Sequence, residues 1–170
     1  LQIWQLMNFK GGSSKSTTTI HLAHFLALQG YKVLAVDLDP QGSLTSMCGI
    51  SPEIEFDGLT VYDAIRYDDP VPFADTIVET YFPGLSLAPS RLLLSEFETE
   101  SAVNSSPDQP FFTRIRSALA QVEDQYDVVL MDSPPQLGFL TISGMAAATS
   151  LIVPLTPSML DVSSTAQFLE

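Results

Sequence analysis

The chain is short of cysteine, short of basic residues and free of long apolar runs, and each shortage excludes something. A single cysteine, Cys48, in 170 residues rules out an internal disulfide. It cannot by itself build a protein-only zinc or iron–sulfur cage, and it points to a reducing compartment. Lys and Arg number 7 against 20 Asp and Glu, for a formal charge of -13. Two of the bases, Lys10 and Lys15, share one loop near the start, and Lys32, Arg66, Arg91, Arg114 and Arg116 are scattered. A nucleic-acid surface needs clustered positive charge, which this stretch does not offer. No apolar run reaches the length of a membrane span, and no signal-peptide pattern opens the chain. Internal repeats and low-complexity tracts are also lacking.

What remains is the composition of a folded domain: 45% hydrophobic residues and a mean hydropathy of +0.20. The length suits one domain with a real core. Leu1 is not an initiator methionine, "LQIWQLMN" begins directly as a strand, and "SSTAQFLE" stops inside a helical pattern. The chain therefore reads as a single domain, residues 1–170, excerpted at both ends from a longer protein.

Five apolar runs stand out: Ile3–Asn8, Val33–Asp37, Leu85–Ala88, Val128–Met131 and Leu151–Leu155. Most are continuous rather than alternating, as parallel strands covered on both faces require. Between them, Ser16–Gln29, Leu59–Arg66, Arg91–Val103, Phe111–Glu123, Leu137–Ala148 and Ser158–Glu170 read as helices. Ser16–Gln29 is apolar nearly all round, which predicts a buried helix, and Gly30 suits the position just past its end. Residues 49–80 carry the weakest pattern, and "SPEIEFDG" and "YDDPVPFAD" read as surface excursions. The alternation predicts an α/β fold: a doubly wound, mainly parallel sheet with right-handed crossovers.

The stretch "NFKGGSSKSTTT", Asn8 to Thr19, resembles a phosphate-binding loop with the wrong glycines. In the pattern G-x-x-x-x-G-K-[ST], counting back from Lys15 puts Phe9 and Ser14 where glycines belong. Gly11 and Gly12 instead supply the freedom for a close backbone approach. Amides from Gly11 through Ser13 and Ser14 to Ser16 can point into one concavity at a helix start, where partial positive charge gathers. Lys15 would reach the β and γ phosphates, and Ser16 would offer a hydroxyl to Mg²⁺. Ser14 is tolerable there only if it keeps an ordinary backbone conformation. The loop alone reads equally well as a glycine turn capped by serines.

Two distant acidic sites bear on that choice. In "VLAVDLDPQG", Asp37 and Asp39 are two apart at a strand end and so share a face. In "YDVVLMDSPP", an apolar strand ends in Asp132 before Pro134 and Pro135 force the chain out of the sheet. Each acid by itself reads as a cap or turn residue. Three strand-end signals, in this order in one sheet, make a nucleotide site the better explanation.

"KGGSSKST" resembles the deviant Walker A loop of the ParA/MinD family of ATPases, K-G-G-x-x-K-[ST]. "DLDPQGSLTSMCG" is similar to the segment that separates ParA partition proteins from MinD, and "YDVVLMDSPPQLGFLTISGMAAATSLIVPLTP" to the ParA Walker B strand, switch helix and following strand. Asn8, Phe9 and the paired serines look most like the RepA branch found on repABC-type plasmids. The resemblance covers most of the chain, weakly over residues 50–110. It implies a P-loop NTPase fold and a Mg²⁺-dependent ATPase that cycles between ATP and ADP. It implies that Lys10 reaches across a dimer interface to the partner's phosphates. Lys15 would bind phosphate in its own subunit, and Asp39 would orient or deprotonate the attacking water. Ser16 and Asp132 would hold Mg²⁺, the latter usually through water. Thr17 would take the α-phosphate, the strand end near Pro154 would lie by the adenine, and Asp37 would support the site from behind. It further implies an ATP-bound homodimer, a ParB-type centromere-binding partner and non-specific DNA bound through segments outside this stretch. The expected setting is the cytoplasm, at the nucleoid. A MinD-like membrane-cycling ATPase would need a basic amphipathic tail, and the P-Q-G after Asp39 speaks against it. A nucleotide-binding regulatory module without turnover is the remaining alternative. His21 and His24 lie three apart on the first helix and read as packing or partly buried polar residues, Cys48 as an ordinary free thiol, and Arg114 and Arg116 as solvated.

Overall fold

Val33–Asp37 (β2) and Val128–Asp132 (β5) lie side by side at the centre of a six-stranded sheet, every residue of both buried. The computed structural model describes residues 1–8, 14–155 and 157–170. The other strands are β1 (Gln2–Leu6), β3 (Val78–Glu79), β4 (Leu85–Ala88) and β6 (Ser150–Ile152), in the order β3-β4-β2-β5-β1-β6. All pairings are parallel except β3 on β4. The expected mainly parallel α/β sheet is the one observed.

The continuous apolar runs follow from burial on both faces. Leu34, Val36, Val129 and Met131 face one core with Phe97, Leu119 and Leu140. Ala35, Leu87 and Leu130 face the other with Ile20, Ala23, Leu44 and Cys48. The first core is covered by α3 (Val61–Ile65), α4 (Glu96–Asn104), α5 (Arg114–Ala120) and α6 (Phe139–Ala147). The second is covered by α1 (Lys15–Leu28) and α2 (Ser43–Met47). A last helix, α7, spans Met159–Leu169. Among the described residues no helix is long and apolar enough to cross a membrane.

Several expectations change. α1 is not buried all round: Ile20, Ala23 and Leu26 face the core, whereas Phe25 and Leu28 are exposed, because one side of a covering helix always faces out. Gly30 does end it, at φ 94°, with its N–H on Ala27 O and that of Tyr31 on Leu26 O. The expected strand to Asn8 stops at Leu6, although Met7 N–H still bonds Ile152 O. Of the two expected surface excursions, residues 51–58 lie at the surface, whereas residues 67–75 turn inward at Phe73. Phe73 and Thr76 are fully buried, Thr60 and Asp63 form a capping box at α3, and β3 closes the sheet edge. Arg114 is not a solvated patch: its guanidinium donates to Ile65 O and Arg66 O and stacks on the Tyr67 ring. Arg116 is exposed.

Candidate functional site

The register sets the site. Leu6 of β1 and Asp37 of β2 both pair with Asp132 of β5, so three adjacent strands end level at the carboxyl edge of the sheet. The chain leaves β1 for α1 and crosses to β2, passing the place that β5 later fills. In open α/β sheets ligands bind beyond this edge, where the strand order reverses.

The start of α1 is drawn onto Asp132. Lys15 Nζ lies 2.6 Å from Asp132 Oδ1, and Ser16 Oγ donates to Asp132 Oδ2 at 2.5 Å. Lys15 is itself buried, and Thr19 Oγ1 closes the first turn onto Lys15 O at 2.8 Å. Burial raises the Asp132 carboxyl above the ordinary range, opposed by the Lys15 ammonium and the Ser16 hydroxyl. A buried carboxylate is stable only when paired in this way.

Ser14 departs from expectation. It sits at the N-cap with φ 62° and ψ 22°, in the left-handed region, and its side chain makes no capping hydrogen bond. The position demands the glycine-like conformation that the usual phosphate-loop pattern supplies with glycine, and Ser14 adopts it at a cost of about 1 kcal/mol.

Behind Asp132, Asp37 is wholly buried and accepts from Thr45 N (2.9 Å), Thr45 Oγ1 (2.7 Å) and Asp39 N (3.1 Å). Burial first and the Asp132 charge second push its carboxyl up to about 7, against those three hydrogen bonds. Asp39 Oδ1 accepts Gln41 N–H at 3.0 Å, an Asx turn across Pro40, and its carbonyl accepts from Gly42 N and Ser90 Oγ. The turn role weighed from the sequence is therefore real, and the same bond aims the carboxylate. Thr45 and Ser90 were not singled out in the sequence. They lock this corner together, since Ser90 N–H also donates to Thr45 Oγ1 at 3.0 Å. Their signal, hydroxyls after P-Q-G and after Pro89, is too common to find alone.

The structure thus brings Lys15, Ser16 and Asp132 into direct contact and places Asp37 and Asp39 beside them. Thr17 is exposed on the first turn of α1. Pro154 lies past β6, where its carbonyl accepts from Asn8 Nδ2 at 2.6 Å, tying the exits of β1 and β6 together. Lys10, Gly11, Gly12 and Ser13 lie outside the described residues. His24 stacks on Phe82 at 4.1 Å, and among the described residues no cluster of His, Cys, Asp and Glu could hold a metal. Hydroxyl and carboxylate oxygens beside an ammonium, at a helix start, make a chemical setting for a polyanion with a hard cation.

Comparison with known proteins agrees. The model of a family described as "AAA domain" matches residues 1–170. A protein of Sinorhizobium fredii, provisionally named replication protein A, is 49% identical over 175 residues, covering 99% of this chain and 43% of that protein. The chromosome-partitioning ATPase Soj of Treponema pallidum is 37% identical over 149 residues, covering 88% of this chain and 54% of that protein. Among solved structures, cobyrinic acid a,c-diamide synthase from Mycobacterium smegmatis, with bound ADP and magnesium, superposes with a TM-score of 0.88 at 33% identity. The match covers 99% of this chain and 65% of that one. The chain spans about half the length of these relatives.

Proposed function

Since the chain belongs to the AAA-domain family and, within it, to the ParA/Soj-type partition ATPases, we propose that the edge formed by β1, β5 and β2 binds ATP and hydrolyses it to drive DNA partition. The observation that carries this reading is the convergence of Lys15 and Ser16 on the two oxygens of Asp132. A triphosphate competes with Asp132 for the Lys15 ammonium, which then neutralises charge on the β and γ phosphates. Thr17 takes the α-phosphate, and the amides of the loop through Ser14 complete the cradle.

Mg²⁺ fits the donor set. Ser16 Oγ and Asp132 Oδ2 are hard oxygens already in contact, and the pair suits a cation that keeps several waters. When bound, the ion neutralises charge on the β,γ oxygens. Asp39, aimed by its bond to Gln41 N–H, orients the attacking water and accepts its proton. The water oxygen bonds to the γ-phosphorus while the bond to the β,γ-bridging oxygen breaks, leaving ADP and phosphate. Little covalent work falls to the protein, so positioning and electrostatics set the rate.

Lys10 acts in trans in this reading, delivered to the phosphates of a second copy, so that dimerisation follows ATP binding. The ATP-bound homodimer engages non-specific DNA and a ParB-type centromere-binding partner through other parts of the full-length protein, at the nucleoid in the cytoplasm and not at a membrane. Pro154, tied to Asn8, borders the adenine. The test is phosphate release by full-length protein with Mg²⁺ and ATP. Asp39→Ala should lower the rate about 100-fold or more with ATP affinity nearly unchanged; equal rates would remove Asp39 from the mechanism. Light scattering with a non-hydrolysable ATP analogue should show dimers for the wild type and monomers for Lys10→Ala.

A further inference from the structure

Helix α6 begins seven residues after Asp132, and its start is held from outside. Gly138 is its N-cap and has no side chain with which to satisfy the first amides. Those amides are met by a carboxylate from another helix. Glu98 of α4 accepts Phe139 N–H at 2.7 Å on Oε2 and Leu140 N–H at 3.0 Å on Oε1. The fit is tight. A Cβ on Gly138 would stand 2.7 Å and 2.8 Å from the two Glu98 oxygens, closer than real side chains approach. Glu98 also belongs to the first turn of its own helix, so one negative charge serves two helix starts. The helix that carries it is anchored, because its neighbour Phe97 is fully buried and Ser101 of the same helix accepts from Tyr67 OH at 2.9 Å.

The segment between Asp132 and α6 is anchored at its other points too. Ser133 Oγ donates to Leu6 O at 2.8 Å, fixing the exit of β5 to that of β1. Thr141 Oγ1 donates to Gln136 O at 2.6 Å, and Thr141 O accepts from the buried Gln5 Nε2 at 3.1 Å. These ties run between β1, β5 and α6. Glu98 adds α4, which packs beside α6 over the same core.

We propose that Glu98 is a positioning residue for hydrolysis: its carboxylate clasps the start of α6 and thereby holds residues 133–138 in one conformation beside the phosphate end of the site. The inference rests on the ATPase reading for its consequence but not for the clasp itself. Glu98 makes no hydrogen bond or ion pair with Lys15, Ser16 or Asp132, so it should govern turnover and leave nucleotide affinity alone. A hydrogen bond to a charged group contributes enough that its loss frees the two amides roughly tenfold.

Hydrogen exchange, phosphate release and ATP binding on the full-length protein test this together. Glu98→Ala should speed exchange at Phe139 and Leu140 about tenfold and lower kcat by a similar factor, with the Kd for ATP within about twofold. Glu98→Gln, which keeps one carbonyl acceptor, should fall between. Gly138→Ala alone should mimic the loss, whereas in the Glu98→Ala background it should add little, because the oxygens it strikes are gone. Unchanged exchange in Glu98→Ala, or fully additive effects of the two substitutions, would overturn the clasp. Faster exchange with unaltered kcat would overturn the positioning role. A wild-type protein that binds no ATP would instead sink the ATPase reading, and the exchange data and the double-mutant cycle would still decide the clasp.

Discussion

Two helices in this molecule start beside the same strand ends, and their first turns are treated in opposite ways. α6 starts at a glycine, carries no acid in its own first turn, and is met by the Glu98 carboxylate. α1 starts at Ser14, whose side chain makes no cap, and it too carries no acid in its first turn. Instead it offers Lys15 and Ser16, both turned to Asp132. A helix start attracts negative charge. Where the fold supplies the charge, the start is structural; where it supplies an ammonium and a hydroxyl instead, it is prepared for an anion from outside. The difference is a more direct pointer to function than the glycine pattern of the loop.

The largest effect that would break this contrast is expected at Lys15. Lys15→Ala leaves Asp132 buried beside β1 and β2 without its counter-charge, which should destabilise the protein by about 3–5 kcal/mol in urea unfolding and abolish nucleotide binding. A variant as stable as the wild type would mean that the pair is incidental.

Next comes the ligand. If the α1 start takes the anion, Mg²⁺ with ADP at about 100 times its Kd should add about 2.7 kcal/mol of stability. The same experiment read by hydrogen exchange should slow the amides of Ser16 and Thr17 more than those of Phe139 and Leu140. Equal protection at both helices would erase the distinction.

The smallest effect sharpens it. Ser14→Gly relieves a left-handed serine and should stabilise the unliganded protein by about 1 kcal/mol, seen as a shifted denaturation midpoint with unchanged slope. No shift would mean that the left-handed conformation carries no strain.

Much of this architecture was legible in the residues, and the exceptions have reasons. β2 and β5 stood out because burial on both faces leaves no polar alternation to blur the run. β3 did not, since two residues paired antiparallel to β4 carry no periodic signal. α2, "SLTSM", is polar and five residues long; it forms because Gly42 adopts φ 68° and Thr45 is pulled onto Asp37. The motifs named Lys15, Ser16 and Asp132 as one site, but not their mutual contact across more than a hundred residues. A serine at position 14 predicts an ordinary backbone, yet Ser14 is left-handed at φ 62°, a conformation that the residue type does not announce. Glu98 left no local trace: in "EFETE" it looks like one solvated acid among several, and its partners lie more than forty residues on.

The burial of Cys48 among Ile20, Ala23 and Leu44 has a practical consequence at the bench. Enclosure, with the Asp37 charge behind it, lifts this thiol to about 11, so near neutrality almost none of it exists as the nucleophilic thiolate. Maleimide dyes should therefore pass it by. Ile54, 87% exposed, becomes a natural position for Ile54→Cys and a single fluorophore, letting assembly be followed by energy transfer without first removing the native sulfur.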